Sequence, residues 1–269
     1  MRGESSLGVG ETHLLQQTQV RIAVEVGSRL ELWTSAMCDQ WHLLPAQKSL
    51  DHKTLRHLHQ ERARDSEQRL QCEGLVSRQP KAKLRIDVNG NWSVQEAVRN
   101  LRSIYENIGA LEYVEQPCGT VDELRELKEK SKVDIKIAGD EVLRKASDPF
   151  AVDLKGAIDI LMLKVQPLGG IARAHKLAEH HKLPVVISSA LESAVGINYG
   201  LQLAASFPEM DFDCGLGTGS LLSANVADLP IVNGEIQITE VEPDFAGLEV
   251  APERYEWWKN RVMKTAELL

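Results

Sequence analysis

The chain lacks the features that mark secreted, membrane-spanning and nucleic-acid-binding proteins. Its four cysteines are scattered and form no CxxC pair, which is typical of reduced thiols in a cytosolic protein. No apolar run approaches the roughly 20 residues that cross a bilayer, and the first residues, MRGESSLGVGETH, lack a signal-peptide core. A net charge of −8 argues against nucleic acid and anionic membranes as partners. We therefore expect a cytoplasmic location and leave the oligomeric state open.

The first 80 residues also lack Phe and Tyr, so they offer a core little large aromatic area to bury. They hold 10 Lys+Arg and 10 Asp+Glu, so the whole negative excess lies in residues 81–269. These differences predict a boundary near Gln79-Pro80. Upstream of it only Val20–Trp33 has a clear pattern, an alternation around Gly27-Ser28 that predicts a hairpin.

From Leu84 onward, short apolar runs alternate with helical patterns, as in parallel strands covered on both faces. Helices are predicted from Ser93, which forms a capping box with Glu96, and after Gly169-Gly170. The other predicted helices are 121–130, a short piece at 148–154, 194–206 and 250–269. The predicted strands are LRIDVN (84–89), LEYVEQ (111–116), IKIAGDE (135–141), DILMLKVQ (159–166), PVVISSALE (184–192) and a sixth near 211–215.

A polar residue ends each predicted strand at a steady interval. The spacings between Asp87, Glu115, Asp140, Lys164 and Ser189 are 28, 25, 24 and 25 residues. One strand, one helix and two loops need about that length. In a (β/α) barrel all carboxyl ends of the strands open on one face, whereas an open sheet does not use every consecutive strand end. The spacing therefore predicts an α/β barrel with these side chains at one mouth.

Three carboxylates at such a mouth would repel one another unless a cation were present. Mg²⁺ prefers oxygen ligands and keeps positions for water and substrate, and Mn²⁺ is an alternative. The competing interpretation is that Asp87, Glu115 and Asp140 are helix caps or solvated loop residues, and that Lys164 reaches from a strand end to solvent.

The motifs RIDVNGNW, YVEQPC, IAGDE, LKVQPLGGI and ISSALESAVGI, in this order, resemble the enolase superfamily. They are especially similar to the o-succinylbenzoate synthases of its muconate-lactonizing-like subgroup. The resemblance covers roughly residues 84–232 and implies a (β/α) barrel that is incomplete at its N-terminal side, with a degenerate or missing α+β cap. It divides the chain into an aberrant N-terminal region (1–80), the barrel portion (81–232) and a segment returning toward the cap (233–269).

The resemblance also implies roles for individual residues. Lys164 would stabilise an enolate by its charge, and Asn89 would support the first metal ligand. Ser188 and Ser189 have a structural alternative, because hydroxyls at strand ends often only satisfy backbone groups. The metal ligands implied are Asp87, Glu115 and Asp140, and the substrate-binding residues are Ser188, Ser189, Glu192 and Gly215.

The chain departs from these synthases at the general base, the second lysine of a Lys-x-Lys pair. Lys81-Ala82-Lys83 has the letters but abuts the strand at 84–89, one βα unit too late, so we interpret it as a coincidence. Residues 61–77 contain Arg62, Arg64 and Arg69 but no lysine, and arginine is a poor base. Residues 1–80 are either strongly diverged or else translated in a shifted frame or misjoined, and a Lys-x-Lys strand in the other reading frames of the coding DNA would reveal a shifted frame.

The function that the resemblance implies is Mg²⁺-dependent syn-dehydration of a 2-succinyl-6-hydroxy-cyclohexadiene carboxylate to o-succinylbenzoate, in menaquinone biosynthesis, by way of a metal-stabilised enolate. One alternative is another superfamily activity, such as a cycloisomerase or a racemase of N-acylamino acids or dipeptides; Asp211-Phe212-Asp213 resembles an epimerase-like acidic pair. The other is a non-catalytic metal-binding remnant without the base. In the tail, Asn233-Gly234 predicts a hairpin turn, and Tyr255, Trp257 and Trp258 predict a packing patch.

Overall fold

The computed structural model describes residues 83–109 and 111–267, and the backbone of three short strands at 19–21, 24–26 and 31–34. The strands are β1 (Gln19–Arg21), β2 (Val24–Val26), β3 (Glu31–Thr34), β4 (Leu84–Asp87), β5 (Tyr113–Glu115), β6 (Ile137–Gly139), β7 (Ile160–Lys164), β8 (Val185–Ser188) and β9 (Glu235–Gln237). The helices are α1 (Val94–Ile108), α2 (Val121–Lys130), α3 (Glu141–Arg144), α4 (Val165–Leu168), α5 (Ile171–His181), α6 (Ala194–Ser206) and α7 (Pro252–Ala266), with a 3₁₀ turn at Thr218–Leu221.

Strands β4 to β8 run parallel in sequence order and form a curled half-barrel. Its two faces bury different side chains. Alternation places Tyr113 on the same face as Glu115, and Met162 on the same face as Lys164. That inner face carries a small buried cluster, whereas the larger core lies between the sheet and its helices. The inner cluster consists of Tyr113, Ala138, Ile160, Met162, Val186 and Phe212.

Most of the predicted elements after Leu84 are confirmed, including both ends of the α1 capping box, Ser93 and Glu96. The helix predicted at 148–154 is wrong. There the Asp148 carboxylate accepts a hydrogen bond from the Phe150 amide (3.0 Å), a local bond that competes with helix formation, and the helix of this unit is α3. The sixth strand near 211–215 is not formed as a full strand; within the described ranges Gly215 makes a parallel bridge with Ser188.

The strand beside β4 in the described residues is antiparallel to it, with Glu31 opposite Asp87 and Thr34 opposite Leu84. It pairs with β2 as the predicted hairpin, whose Gly27-Ser28 turn lies outside the described residues. A superfamily barrel would have a parallel strand beside β4, so the barrel is incomplete on this side. Most of residues 1–80, where the cap is expected, lie outside the described residues, and the predicted boundaries at 80 and 232 stay predictions.

The C-terminal segment contains the predicted turn, with Asn233 and Gly234 at φ values of 52° and 78°. Strand β9 follows and pairs antiparallel with β1. On α7, Tyr255, Trp257 and Trp258 are 60%, 46% and 50% exposed, and no described element covers that helix. This exposure is what we expect where the cap is absent, and the packing patch stays a prediction. None of the helices in the described ranges is long and apolar enough to cross a membrane.

Candidate metal centre and active site

The mouth of the half-barrel brings together the three carboxylates predicted from the sequence. Asp87 and Glu115 end β4 and β5 and lie opposite each other in register, and Asp140 directly follows β6. All three are buried, with exposed fractions of 4%, 2% and 2%. Because the strands are parallel, their carboxyl ends meet at one edge, as the spacing predicted.

Lys164 ends β7 and reaches into the same group. Its Nζ lies 2.7 Å from Oδ2 of Asp140 and 3.8 Å from Oε1 of Glu115. Burial alone would lower the pKa of Lys164, but the Glu115 and Asp140 carboxylates outweigh that effect and raise the pKa above its ordinary value. The side chain is therefore a buried ammonium at neutral pH, and the alternative of a lysine reaching to solvent is wrong.

Glu115 shows that this mouth is short of positive charge. Burial raises its pKa well above the ordinary value, Asp87 and Asp140 raise it further, and Lys164 offsets only part of the increase. A divalent cation would supply the missing charge, and carboxylate oxygens are the ligands that Mg²⁺ and Mn²⁺ prefer. The donor set therefore fits such a cation in kind.

The side chains are not arranged as a closed cage. In the part of the chain that the structure describes, no three His, Cys, Asp or Glu side chains stand close enough together to hold a metal ion. The Lys164 ammonium lies between Asp140 and Glu115 and satisfies oxygens that a cation would use. The assignment of Asp87, Glu115 and Asp140 as metal ligands thus stays a prediction. It requires these side chains to rotate so that their oxygens face one cation.

Two residues that the sequence did not single out also belong to this mouth. The Arg144 Nε donates to Oδ2 of Asp140 (2.9 Å), and its Nη2 donates to Oε1 of Glu141 (2.5 Å). Glu141 is 5% exposed, and its Oε2 is buried without a hydrogen-bond partner. The position of Glu141 directly after Asp140 in the GDE motif could have indicated that it belongs to this site. Arg144 lies one helical turn further on. Basic residues are common at the carboxyl ends of helices, so the sequence does not indicate that Arg144 contacts Asp140.

Asn89 supports Asp87 through its backbone. Its amide donates to Oδ1 of Asp87 (2.9 Å), while its own side chain is exposed. The residue has a φ of 53°, in the left-handed region that Asn adopts more readily than most residues. The structure thus brings Asn89 to the first carboxylate, and the contact is made by the main chain.

The predicted substrate residues gather at the next strand ends. Ser188 is the register partner of Lys164 on β8. The hydroxyl of Ser189 donates to the Gly215 carbonyl (2.8 Å) and contacts the Thr218 hydroxyl (2.7 Å). Glu192 accepts from the Ala190 amide at 2.8 Å, and its Oε1 is buried without a partner. Ser189 thus ties β8 to the following segment, and the substrate roles of these residues stay predictions.

Lys83 lies at the amino-terminal end of β4, the opposite end of the strand from Asp87 and the mouth. It begins the segment that leads into β4 and contacts Glu112 at 3.1 Å, with its side chain 63% exposed. This position agrees with the interpretation of Lys81-Ala82-Lys83 as a coincidence, although Lys81 and Ala82 are outside the described residues.

A buried arginine closes the interior below the carboxylates. Arg85 is 2% exposed, donates to Glu112 (2.5 Å) and to the Asp213 carbonyl (2.6 Å), and lies over the Tyr113 ring at 4.8 Å. Phe212 meets the same ring edge-on. The Asp211–Asp213 segment is thus fixed to the arginine beneath the carboxylates. Strand alternation could have placed Arg85 inside, but its partner Asp213 is 128 positions away.

A family model described as enolase C-terminal domain-like matches residues 57–252 of the chain. The chain belongs to the enolase superfamily. The matched range starts upstream of the predicted boundary near residue 80. Relatives include the o-succinylbenzoate synthases of Mycobacterium tuberculosis (strain ATCC 25618 / H37Rv), 47% identical over 190 residues, and of Mycobacterium leprae (strain TN), 48% identical over 191 residues. Each match covers 69% of this chain. It covers 57% of the first relative and 56% of the second, so the chain spans little more than half the length of these relatives.

Solved structures show the same superfamily fold. The L-Ala-D/L-Glu epimerase from Bacillus subtilis superposes with a TM-score of 0.57 at 23% identity, over 66% of this chain and 51% of that one. Muconate lactonizing enzyme from Pseudomonas putida gives 0.56 at 19% identity, over 66% and 51%. At these identities the likeness establishes the architecture of the half-barrel alone.

Proposed function

We propose that this chain carries the metal-binding part of an o-succinylbenzoate synthase, a hydro-lyase acting on a cyclohexadiene carboxylate in menaquinone synthesis. The observation that carries the proposal is the buried ammonium of Lys164 beside Asp140 and Glu115. The relatives that share 47% identity are o-succinylbenzoate synthases, which supports this substrate over others.

In the proposed reaction the carbon next to the substrate carboxylate loses a proton to a base. The C–H electron pair forms the third double bond of the ring, and the hydroxyl leaves with its C–O pair and a proton, as water. When bound by Asp87, Glu115 and Asp140, Mg²⁺ or Mn²⁺ supplies Lewis-acid stabilisation of the charge that develops on the carboxylate. The Lys164 ammonium adds a second positive charge in a water-poor site, where it acts most strongly.

Against the effect of burial, the Glu115 and Asp140 carboxylates raise the pKa of Lys164, which favours its ammonium form and therefore a role in charge stabilisation over a role as the base. The arrangement around Lys164 therefore supports charge stabilisation and leaves the proton acceptor to a residue elsewhere in the chain. A metal-binding remnant without a base is the second candidate, favoured by the exposed position of Lys83 at the wrong end of β4. It predicts cation binding without exchange of the substrate α-proton.

The test is turnover of the cyclohexadiene substrate by the purified chain, with Mg²⁺ and with EDTA, followed by deuterium exchange in D₂O. Metal-dependent product supports the synthase. Cation binding with neither product nor exchange supports the remnant. Exchange or conversion confined to muconate-type lactones, N-acylamino acids or dipeptides would assign the chain to another activity of the superfamily and refute the synthase.

A further inference from the structure

Gln116 lies between the predicted metal ligand Glu115 and the loop that follows it, and it is fully buried. Four of its polar groups have partners. Its amide N–H donates to the Ala138 carbonyl (2.9 Å), and its carbonyl accepts from the Gly90 amide (2.6 Å). The side chain then continues the same connection into the neighbouring loops.

The side-chain oxygen of Gln116 accepts from two amides at the third carboxylate. The Asp140 and Val142 N–H groups donate to Oε1 at 3.0 and 3.2 Å. The side-chain amide donates to the Cys118 carbonyl at 2.8 Å. Asp140 directly follows β6 and Val142 lies in α3, so the two amides that Gln116 holds stand on either side of the Asp140 side chain in the sequence. The oxygen therefore fixes the backbone on both sides of the third ligand position.

One residue thus connects the three loops that bear the three carboxylates. Gly90 belongs to the loop after Asp87, Cys118 to the loop after Glu115, and Val142 to α3, which begins directly after Asp140. Gln116 has a φ of 36°, a strained left-handed conformation for a residue that is neither Gly nor Asn. The surrounding hydrogen bonds hold it in this conformation.

We propose that Gln116 is a positioning residue that sets the distances among Asp87, Glu115 and Asp140 for a divalent cation. The inference rests on the proposed function, because it takes those three residues as the ligands. Because the Asp140 and Val142 N–H groups both donate to the same oxygen of Gln116, that side chain fixes the position of the backbone that carries Asp140. Without it, the Asp140 backbone is connected to β5 only through the pairing of β5 with β6, and the distances among the three carboxylates are no longer fixed.

The test compares Gln116→Met with Leu124→Ala. The Met variant keeps the volume and removes every side-chain hydrogen bond of Gln116. Leu124 is fully buried on α2 and belongs to the larger core between the sheet and its helices, so its truncation lowers stability without removing a contact of the carboxylates. Binding of Mn²⁺ is measured by electron paramagnetic resonance at a temperature where both variants are folded by circular dichroism.

We expect Gln116→Met to weaken Mn²⁺ binding at least tenfold and Leu124→Ala to change it by less than twofold. If the Met variant does not fold, Gln116→Asn replaces it, because its amide is one methylene too short to reach both N–H groups; the same loss is expected. Affinity within twofold of the wild-type chain in the folded variant overturns the positioning role. A wild-type chain that binds no Mn²⁺ refutes the proposed metal site itself, so the two failures are distinguishable.

Discussion

The ammonium of Lys164 donates to the carboxylate of Asp140 over 2.7 Å in a buried site, although the two residues belong to different βα units. Asp140 also accepts from Arg144 with the same oxygen, so two cations converge on one acceptor. The convergence sets two positively charged groups against a carboxylate that is only 2% exposed. It also makes Lys164 the residue whose replacement has the clearest expected effect.

Replacing Lys164 by Gln removes the buried positive charge beside Asp140 and Glu115. Breaking one side of a buried ion pair costs about 3–5 kcal/mol, so we expect a large drop in unfolding free energy by urea titration. A bound divalent cation would compensate for it, so Mg²⁺ should raise the melting temperature more in Lys164→Gln than in the wild-type chain. The matched control is Lys128→Gln, which removes a partly exposed pair with Asp159. Equal Mg²⁺ effects in both variants would contradict the prediction.

Gly139 ends β6 immediately before Asp140, and its missing side chain is required by packing. A Cβ at this position would lie 2.8 Å from Cδ1 of Ile158 and 3.1 Å from Cγ2 of Val142. Overpacking of this kind costs about 1–3 kcal/mol, so Gly139→Ala should lower the unfolding free energy by that amount. Gly119→Ala is the control, because its Cβ would make only ordinary contacts of 3.5 Å. Denaturant titration of both variants measures the difference, and equal stabilities would refute the packing argument.

The capping box at the start of α1 should stabilise the folded chain, because it satisfies two backbone N–H groups that the helix leaves without partners. The Ser93 hydroxyl accepts from the Glu96 amide (3.3 Å), and the Glu96 carboxylate accepts from the Ser93 amide (2.9 Å). Ser93→Ala is expected to lower the unfolding free energy by about 1 kcal/mol in urea titrations. The same substitution at Ser103, inside the helix, should change stability by less than about 0.5 kcal/mol, because Ala favours helix interiors. If Ser103→Ala lowers the unfolding free energy as much as Ser93→Ala does, Ser93 contributes nothing specific as a helix cap.

The buried thiols predict a loss of stability at alkaline pH. Burial raises the pKa of both Cys118 and Cys214 to about 12, above the ordinary thiol value of about 8.5. A group whose pKa is higher in the folded state stabilises it below the unfolded pKa, and this contribution is lost as pH rises through the folded pKa. The unfolding free energy should therefore fall between about pH 9 and pH 12.

The control for this prediction is Cys118→Ala with Cys214→Ala, in which the fall should be shallower. Because Cys38 and Cys72 are also present, alkylation with iodoacetamide is followed in a Cys38→Ser, Cys72→Ser background. Native Cys118 and Cys214 should react at least a hundredfold more slowly at pH 8 than in the unfolded chain. Rapid reaction in the native state would show that the thiols are accessible.

The sequence predicts the mouth well because each of its residues follows a local rule. Asp87, Glu115, Asp140 and Lys164 each end or directly follow an apolar run, and a parallel sheet brings such positions to one edge. The polar connections between units could not be predicted in this way. The bond from Gln116 to the turn of Asp140 depends on a left-handed backbone conformation at residue 116, which sequence alone does not indicate.

The interior and the upstream edge were also beyond prediction, for a different reason. The contact of Arg85 with the Asp213 carbonyl joins residues 128 positions apart, and only the curvature of the sheet makes them neighbours. The alternation around Gly27-Ser28 predicted a hairpin but carried no information that β3 would lie antiparallel to β4. Strand partners depend on tertiary packing, whereas strand existence depends on local patterning.

Each strand from β4 to β7 pairs in parallel with the strand that follows it in the chain. Contacts of short sequence separation close short loops, and the entropy lost on closing a loop grows with its length. The strands can therefore join one after another as the polypeptide leaves the ribosome. In the order of synthesis Asp87, Glu115 and Asp140 leave the ribosome before Lys164, the residue whose ammonium lies beside two of them.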